Sequence, residues 1–145
     1  MFVTKNRVRM HDIDMAGILY FPRQFRFVHE ALEDFLESEG YSFDKVFREG
    51  EFNFVIVHCE ADYLAPLRIG ERLEVHMYVE NIGRTSFTFC YNIYNTDGVE
   101  VGTAKTVHVA IEKEKHKKVP IPPVLKKVLK KHHSTPPAVR PGKTQ

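Results

Sequence analysis

A single long amphipathic helix followed by four long consecutive strands is the feature that most constrains the fold of this chain. The helical pattern begins at Pro22, whose fixed φ suits a first helical position, and continues to Glu39 before Gly40. Apolar residues recur there at three- and four-residue spacing on one face: Phe25, Val28, Leu32, Phe35 and Leu36. A chain with one such helix can bury its apolar face only against the strands that follow it.

Alternating apolar and polar residues predict those strands, together with a short first strand from Phe2 to Arg9. The first long strand is predicted to place five residues on one face: Val55, Val57, Cys59, Ala61 and Tyr63. Its beginning is apolar on both faces, which indicates burial on both sides, as at a contact with another subunit. Turns are predicted at Gly83-Arg84 and at Asn95-Thr96-Asp97-Gly98, so the strands form successive antiparallel hairpins.

This element order predicts an α+β hotdog fold, in which a curved antiparallel sheet wraps one long central helix. The length of 145 residues fits one domain, which we place at residues 1–133. We expect a short basic helix at about residues 122–131 and a disordered tail at residues 134–145, where the sequence is rich in proline.

Composition and charge limit the cellular compartment and the partners that we expect for the protein. The two cysteines, Cys59 and Cys90, make neither a disulfide framework nor a zinc site, and no apolar run is long enough to span a membrane. We therefore expect a soluble, cytoplasmic protein. Residues 1–112 carry 11 basic and 18 acidic residues, whereas residues 113–145 carry 10 basic residues and one acidic residue. The basic end is either a solvated tail or a polyanion contact; because it lacks aromatic residues, we expect no nucleic-acid partner.

The segment from His11 to Pro22 is the one most suggestive of chemistry. It places Asp12 and Asp14 on a loop directly before a helix, whose first N–H groups can bind an oxyanion. A carboxylate beside such a site can attack a carbonyl or activate a water, which are the requirements of acyl transfer. Aspartate before a helix is also a common turn former or cap, and Asp12 is expected to shape the loop in this way.

The string D-I-D-M-A-G-I-L-Y-F-P at residues 12–22 resembles the signature of the 4-hydroxybenzoyl-CoA thioesterase family of hotdog proteins. Later segments resemble the family in the same order: Tyr63-Leu-Ala-Pro66 with Gly70-Glu, Gly83-Arg84-Thr85-Ser86-Phe87, and Lys118-Val-Pro-Ile-Pro122. The resemblance covers about residues 3–130 and implies the hotdog fold and thioester hydrolysis.

The resemblance also implies roles for single residues. It places the catalytic carboxylate on Asp14 and the oxyanion donor on the backbone N–H of Phe21, within a turn that Gly17 makes possible. It places substrate contacts on Tyr20 and His29. Two positions depart from the family pattern: Phe21 stands where many relatives have histidine, and His29 stands where many have glutamate. These departures put substrate choice and rate in question, and His29 is alternatively a hydrogen-bonded histidine at a subunit contact.

For coenzyme A, the resemblance implies binding by Arg84 and Ser86, although Arg84 is equally well read as a solvated turn residue. The histidines His58, His76 and His108 lie singly on strands, so no metal is expected, and no cofactor is expected beyond the coenzyme A of the substrate. The prediction is an acyl-CoA thioesterase for small or medium acyl groups, forming a homodimer or homotetramer. The alternative is a hotdog protein that binds acyl-CoA without hydrolysing it.

Overall fold

The computed structural model of the chain describes residues 1–41, 50 and 52–134. Its strands and helices, in chain order, are β1 (Phe2–Arg7), α1 (Gln24–Ser38), β2 (Phe52–Tyr63), β3 (Arg72–Ile82), β4 (Ser86–Asn95), β5 (Glu100–Glu112) and α2 (Pro123–Lys131). Two short 3-10 turns, Met10–Asp12 and Phe21–Arg23, precede α1. The predicted order of one long helix and four consecutive strands is confirmed.

The strands form one five-stranded antiparallel sheet in the order β1-β3-β4-β5-β2. Helix α1 lies across one face of this sheet, which we call the inner face; the opposite face is the outer face. The apolar stripe of α1 is buried as its spacing predicted, except that Phe25 is only half-buried. Gly40 ends the helix with φ +85°, a conformation that glycine adopts without strain.

The core lies between α1 and the inner faces of β3, β4 and β5. Strands β3 and β4 alternate as predicted, with these residues buried toward the helix: Leu73, Val75, Met77, Val79, Phe87, Phe89, Tyr91 and Ile93. The ring of Phe35 on α1 packs edge-on against Phe89 of β4 and against Phe2 of β1. The helix is thereby fixed over the middle of the sheet.

The prediction of which β2 residues share one face is wrong for the first half of the strand. A β-bulge shifts the register of β2 against β5 between Ile56 and His58, so Val57 has no partner. Because one inserted residue reverses the alternation, Phe54 and Ile56, rather than Val55 and Val57, share the inner face with the second half of the strand. Alternation in the sequence cannot show a bulge when the residues on both sides of it are apolar.

Helix α2 closes the core beside the end of α1. Leu125, Val128 and Leu129 are buried, whereas Val124 is exposed. Just after the helix, His132 packs edge-on against Phe35 and lies 2.8 Å from the carboxylate of Glu39. The basic helix predicted at residues 122–131 is therefore confirmed as part of the fold, while residues 135–145 of the predicted disordered tail lie outside the described residues.

The order of the sheet leaves β1 and β2 as its two edge strands. The middle of β2 is apolar and exposed, with Val55, Ile56 and Val57 between 40% and 57% exposed. Among the described residues no helix is long and apolar enough to cross a membrane.

Candidate functional site

Residues 12–20, which we call the Asp14 loop, form a tight hairpin. The N–H of Asp14 donates to the carbonyl of Ile18 at 2.9 Å, and the N–H of Gly17 donates to the carbonyl of Asp14 at 3.1 Å. Gly17 has φ +77°, where other residues are strained. The Asp14 side chain is exposed, and its Oδ1 accepts the N–H of Ala16 at 2.8 Å. The hydrogen bonds found among the described residues leave its second carboxylate oxygen without a donor.

Asp12, two residues earlier, is fully buried and has a structural role. It accepts hydrogen bonds from the Arg26 guanidinium, at 2.7 Å between Nε and Oδ1, and from the N–H of Arg9 at 2.8 Å. Burial by itself would raise the pKa of Asp12, but these hydrogen bonds and the Arg26 charge outweigh it and hold the pKa below its usual value. Asp12 thus remains ionised and shapes the loop, as expected for it.

The start of the helical segment faces the same loop. The N–H of Tyr20 donates to the carbonyl of Asp12 at 2.8 Å, which places Phe21 directly after the paired arms of the hairpin. Phe21 is the first residue of the 3-10 turn that leads into α1, and the carbonyl of Phe21 accepts the Tyr63 hydroxyl at 2.8 Å. Among the hydrogen bonds of the described residues its N–H has no acceptor, as is general for first-turn N–H groups.

Gln24 fixes the start of α1 onto the sheet. This buried side chain donates from Nε2 to the carbonyl of Asp62 on β2 at 3.1 Å and to that of Thr103 on β5 at 3.0 Å. It lies directly over Gly102, where an added Cβ would come within 2.6 Å of Gln24 Oε1. Sequence reasoning missed both Gln24 and Arg26. A glycine inside a predicted strand was the available signal, because it often marks a close approach of another group.

Three aromatic rings lie beside the unpaired N–H of Phe21. The Phe21 ring packs edge-on against Tyr20, with ring centroids 5.2 Å apart, and against Tyr63 at 6.4 Å. All three are largely exposed, Phe21 by 61%. Partial burial raises the pKa of the Tyr63 hydroxyl, which donates to the Phe21 carbonyl. This aromatic surface was not predicted as a unit, although Tyr20 was predicted to contact substrate.

His29 lies on α1, exposed, five residues beyond Gln24 and about 7 Å further along the helix. Among the described residues His29 makes no side-chain hydrogen bond, so the hydrogen-bonded alternative gains no support within one chain. His29 lies near His108, a buried residue stacked on Phe87. Burial, with a smaller contribution from His29, lowers the pKa of His108 to about 4, so His108 is neutral at physiological pH.

Arg84 and Ser86 lie at the opposite end of the sheet from the Asp14 loop. Ser86 pairs with Val109, whereas Ile93 pairs with Gly102 beside the helix start, and the distance along β4 from Ser86 to Ile93 is about 24 Å. The guanidinium of Arg84 is exposed, and its backbone carbonyl accepts the N–H of Ile121 at 2.9 Å, close to the start of α2. The structure therefore brings Asp14, Gly17, Tyr20 and Phe21 together and keeps the predicted coenzyme A residues apart from them within one chain.

Comparison with known proteins gives consistent results. The model of the thioesterase-like superfamily matches residues 8–129. A 1,4-dihydroxy-2-naphthoyl-CoA hydrolase from Thermosynechococcus vestitus is 33% identical over 123 residues, which cover 85% of this chain and 84% of that protein.

Solved structures agree in fold. The crystal structure of a 1,4-dihydroxy-2-naphthoyl-CoA thioesterase from Synechocystis superposes with a TM-score of 0.83 and 30% identity, covering 88% of this chain and 94% of that one. A protein from Aquifex aeolicus superposes with a TM-score of 0.82 and 31% identity, covering 89% of this chain and 99% of that one. The predicted hotdog fold is confirmed.

Proposed function

The chain belongs to the thioesterase-like superfamily, and from that premise we propose that it hydrolyses the thioester of an aromatic acyl-CoA at the Asp14 loop. The observation that carries the proposal concerns two groups without hydrogen-bond partners among the described residues, one within the Asp14 loop and one directly after it. Asp14 has one carboxylate oxygen held by Ala16 and one without a donor, and the N–H of Phe21 has no acceptor among the described residues. A base or nucleophile next to an oxyanion donor is the minimum that acyl transfer requires.

In this arrangement the thioester carbonyl oxygen accepts a hydrogen bond from the Phe21 N–H, at the positive end of α1. Asp14 then acts in one of two ways. As a nucleophile its carboxylate bonds to the carbonyl carbon, the C–S bond breaks, the thiolate leaves, and water hydrolyses the resulting anhydride. As a general base it takes a proton from a water whose oxygen bonds to the carbon, and the same C–S bond breaks. Both routes give a carboxylic acid and free coenzyme A.

The aromatic surface supports the choice of acyl group. The exposed rings of Tyr20, Phe21 and Tyr63 provide edges and faces for a flat ring system. Relatives with about a third of residues identical are named for hydrolysis of 1,4-dihydroxy-2-naphthoyl-CoA, which carries a fused aromatic acyl group. We extend the predicted small or medium acyl group to an aromatic one on these grounds.

We assign coenzyme A contacts at Arg84 and Ser86 to a second copy of the chain, because these residues lie at the far end of the sheet from Asp14. The apolar, unpaired edge of β2 supports a dimer in which two sheets join edge to edge. Arg84 lies close to the start of α2, so the exposed lysines of α2 add positive charge to the same end of the molecule.

The test is thiol release by the purified protein from a set of acyl-CoA substrates. The proposal expects 1,4-dihydroxy-2-naphthoyl-CoA and benzoyl-CoA to be hydrolysed with at least about tenfold higher kcat/KM than hexanoyl-CoA, a margin of about 1.4 kcal/mol. Equal or higher values for hexanoyl-CoA would overturn the aromatic assignment. Saturable binding of every substrate without release of thiol would overturn hydrolysis and favour a binding protein.

A further inference from the structure

Two arginines stand directly opposite each other on neighbouring strands of the outer face. Arg7 at the end of β1 pairs with Arg72 at the start of β3 in the antiparallel register. Directly opposed residues have Cβ atoms about 5 Å apart, and like charges in such a pair destabilise the sheet. An anion between the two side chains would remove this repulsion.

Two further cations extend the pair. Lys5 lies on the same face of β1, diagonal to Arg72, and Arg9 follows β1 where the chain turns into the Asp14 loop. None of these four basic residues has an ion pair with the described part of the chain, although residues 1–112 carry an excess of acidic residues. Elsewhere in that part of the chain, Arg26 and Lys105 do pair with carboxylates.

The cations surround a concavity. One cavity of about 330 Å³ is lined by the four basic residues and Asn6. It shares Lys5, Asn6 and Arg72 with a second cavity of about 490 Å³, which extends over β3 and the β4–β5 turn. The residues that line the first cavity supply several positive charges and no carboxylate, which is the chemistry of a phosphate site; Glu74, opposite Lys5 in the register, lines the second cavity.

The second cavity differs in character from the first. It is lined by the rings of His76 and Tyr94, whose centroids are 4.7 Å apart and whose planes are tilted by 60°, and by the polar residues Asn95 and Thr96. Its one carboxylate, Glu74, lies 3.1 Å from His76 Nε2 and is directed to that ring. Aromatic rings beside amide and hydroxyl groups suit a planar base.

We propose that these joined cavities bind a nucleotide, with its phosphates between Arg7 and Arg72 and its base against the ring pair of His76 and Tyr94. The site lies on the outer face of the sheet, because Lys5 and Arg7 alternate with Thr4 and Asn6, which contact α1 on the inner face. It therefore does not depend on the role of Asp14. Two sources fit the chemistry: the nucleotide portion of coenzyme A and a free nucleoside polyphosphate.

The test is calorimetric binding of ATP, inorganic pyrophosphate and adenosine to the full chain, to Arg7→Gln/Arg72→Gln, and to Lys115→Gln/Lys117→Gln. The last variant removes the same number of positive charges, two, from an exposed turn far from the cavities. We expect the wild type and the Lys115/Lys117 variant to bind ATP more tightly than pyrophosphate and to bind adenosine weakly. Loss of two charge-assisted contacts should raise the Kd for ATP at least about tenfold in the Arg7/Arg72 variant.

Thermal unfolding is the second readout. Pyrophosphate should raise Tm for the wild type and for the Lys115/Lys117 variant but not for the Arg7/Arg72 variant, which without ligand should be at least as stable as the wild type because the repulsion is gone. Equal ATP affinity in all three proteins, or no saturable binding to the wild type, would overturn the proposal.

Inhibition of acyl-CoA hydrolysis by ATP identifies the source of the ligand. Competition with acyl-CoA assigns the site to the coenzyme A nucleotide, and any other pattern assigns it to a free nucleotide. Both outcomes support the site, provided that ATP no longer inhibits hydrolysis by the Arg7/Arg72 variant.

Discussion

Arg26 on α1 donates two hydrogen bonds to Asp12 in the Asp14 loop, one from Nε to Oδ1 at 2.7 Å and one from Nη2 to Oδ2. The same guanidinium reaches the carbonyl of Arg7 at 3.1 Å and the carboxylate of Glu30 at 2.8 Å. One planar side chain thus joins β1, the loop and the helix, which is the geometry that arginine provides and lysine does not. The position of Asp14 relative to the helix start depends on this contact.

Replacing Asp12 with asparagine should destabilise the protein at neutral pH by about 3 kcal/mol, because Arg26 would keep its place without its main counter-charge. The folded-state pKa of Asp12 is lowered, so its contribution is present above the unfolded pKa near 4 and is lost as pH falls through the folded value. Urea unfolding of both proteins should therefore show a difference at pH 7 that shrinks below pH 4. A difference of the same size at both pH values would contradict this role.

Phe21→Pro removes the proposed oxyanion donor without a large change in backbone. Tyr20 has φ −68° and ψ 124°, the conformation that a following proline requires, and a first helical position accepts proline well. We expect kcat to fall by about 100-fold with little loss of stability.

Phe21→Ala is the matched control, because it removes the ring and keeps the N–H. It should raise KM for aromatic substrates and retain most of kcat. Equal kcat values for the two variants would show that the Phe21 N–H does not stabilise the transition state.

The charge of α2 can be tested without disturbing the core, because Lys126, Lys127 and Lys130 are exposed whereas Leu125 and Leu129 are buried. The triple substitution of these lysines with glutamine should raise KM for acyl-CoA more than it lowers kcat. The increase in KM should be smaller in 0.5 M salt, where the Debye length is only about 4 Å. A KM that is unchanged, or that changes equally at low and high salt, would assign these lysines to solubility alone.

The dimer proposal predicts a mass of at least twice 16.9 kDa by light scattering at micromolar concentration. Val57→Lys, at the bulge of the exposed β2 edge, should shift the protein toward the monomer, since a charge at an edge opposes pairing. Val99→Lys, in the exposed β4–β5 turn, serves as the control and should leave the mass unchanged. A wild-type monomer at this concentration would contradict the proposal.

Elements with strong periodicity were predictable from the sequence, because burial on one side dictates their pattern. The stripe of α1 and the alternation in β3 and β4 therefore match the structure, and the Asp14 loop was found from its carboxylates and its glycine. The bulge at Val57 was not predictable, since it changes register without changing composition.

The contacts that position the site could not be predicted from the sequence either, because they join residues that are far apart in the chain. The pairing of Arg26 with Asp12 depends on how the loop folds back onto the helix. Gln24 over Gly102 and Arg7 opposite Arg72 likewise depend on packing and register. Arg84 was predicted from its turn, and its distance from Asp14 is a property of the whole sheet.

The most direct test of the central claim is the rate of thiol release by Asp14→Asn at saturating 1,4-dihydroxy-2-naphthoyl-CoA. Asparagine retains an Oδ1 that can accept the Ala16 N–H, so the loop should keep its shape while the second oxygen loses its charge. Asp97→Asn, in the exposed β4–β5 turn, is the control for loss of one carboxylate. We predict that kcat falls at least about 100-fold in Asp14→Asn and is unchanged in Asp97→Asn. Turnover of Asp14→Asn at the wild-type rate would contradict the assignment of Asp14 as the catalytic carboxylate.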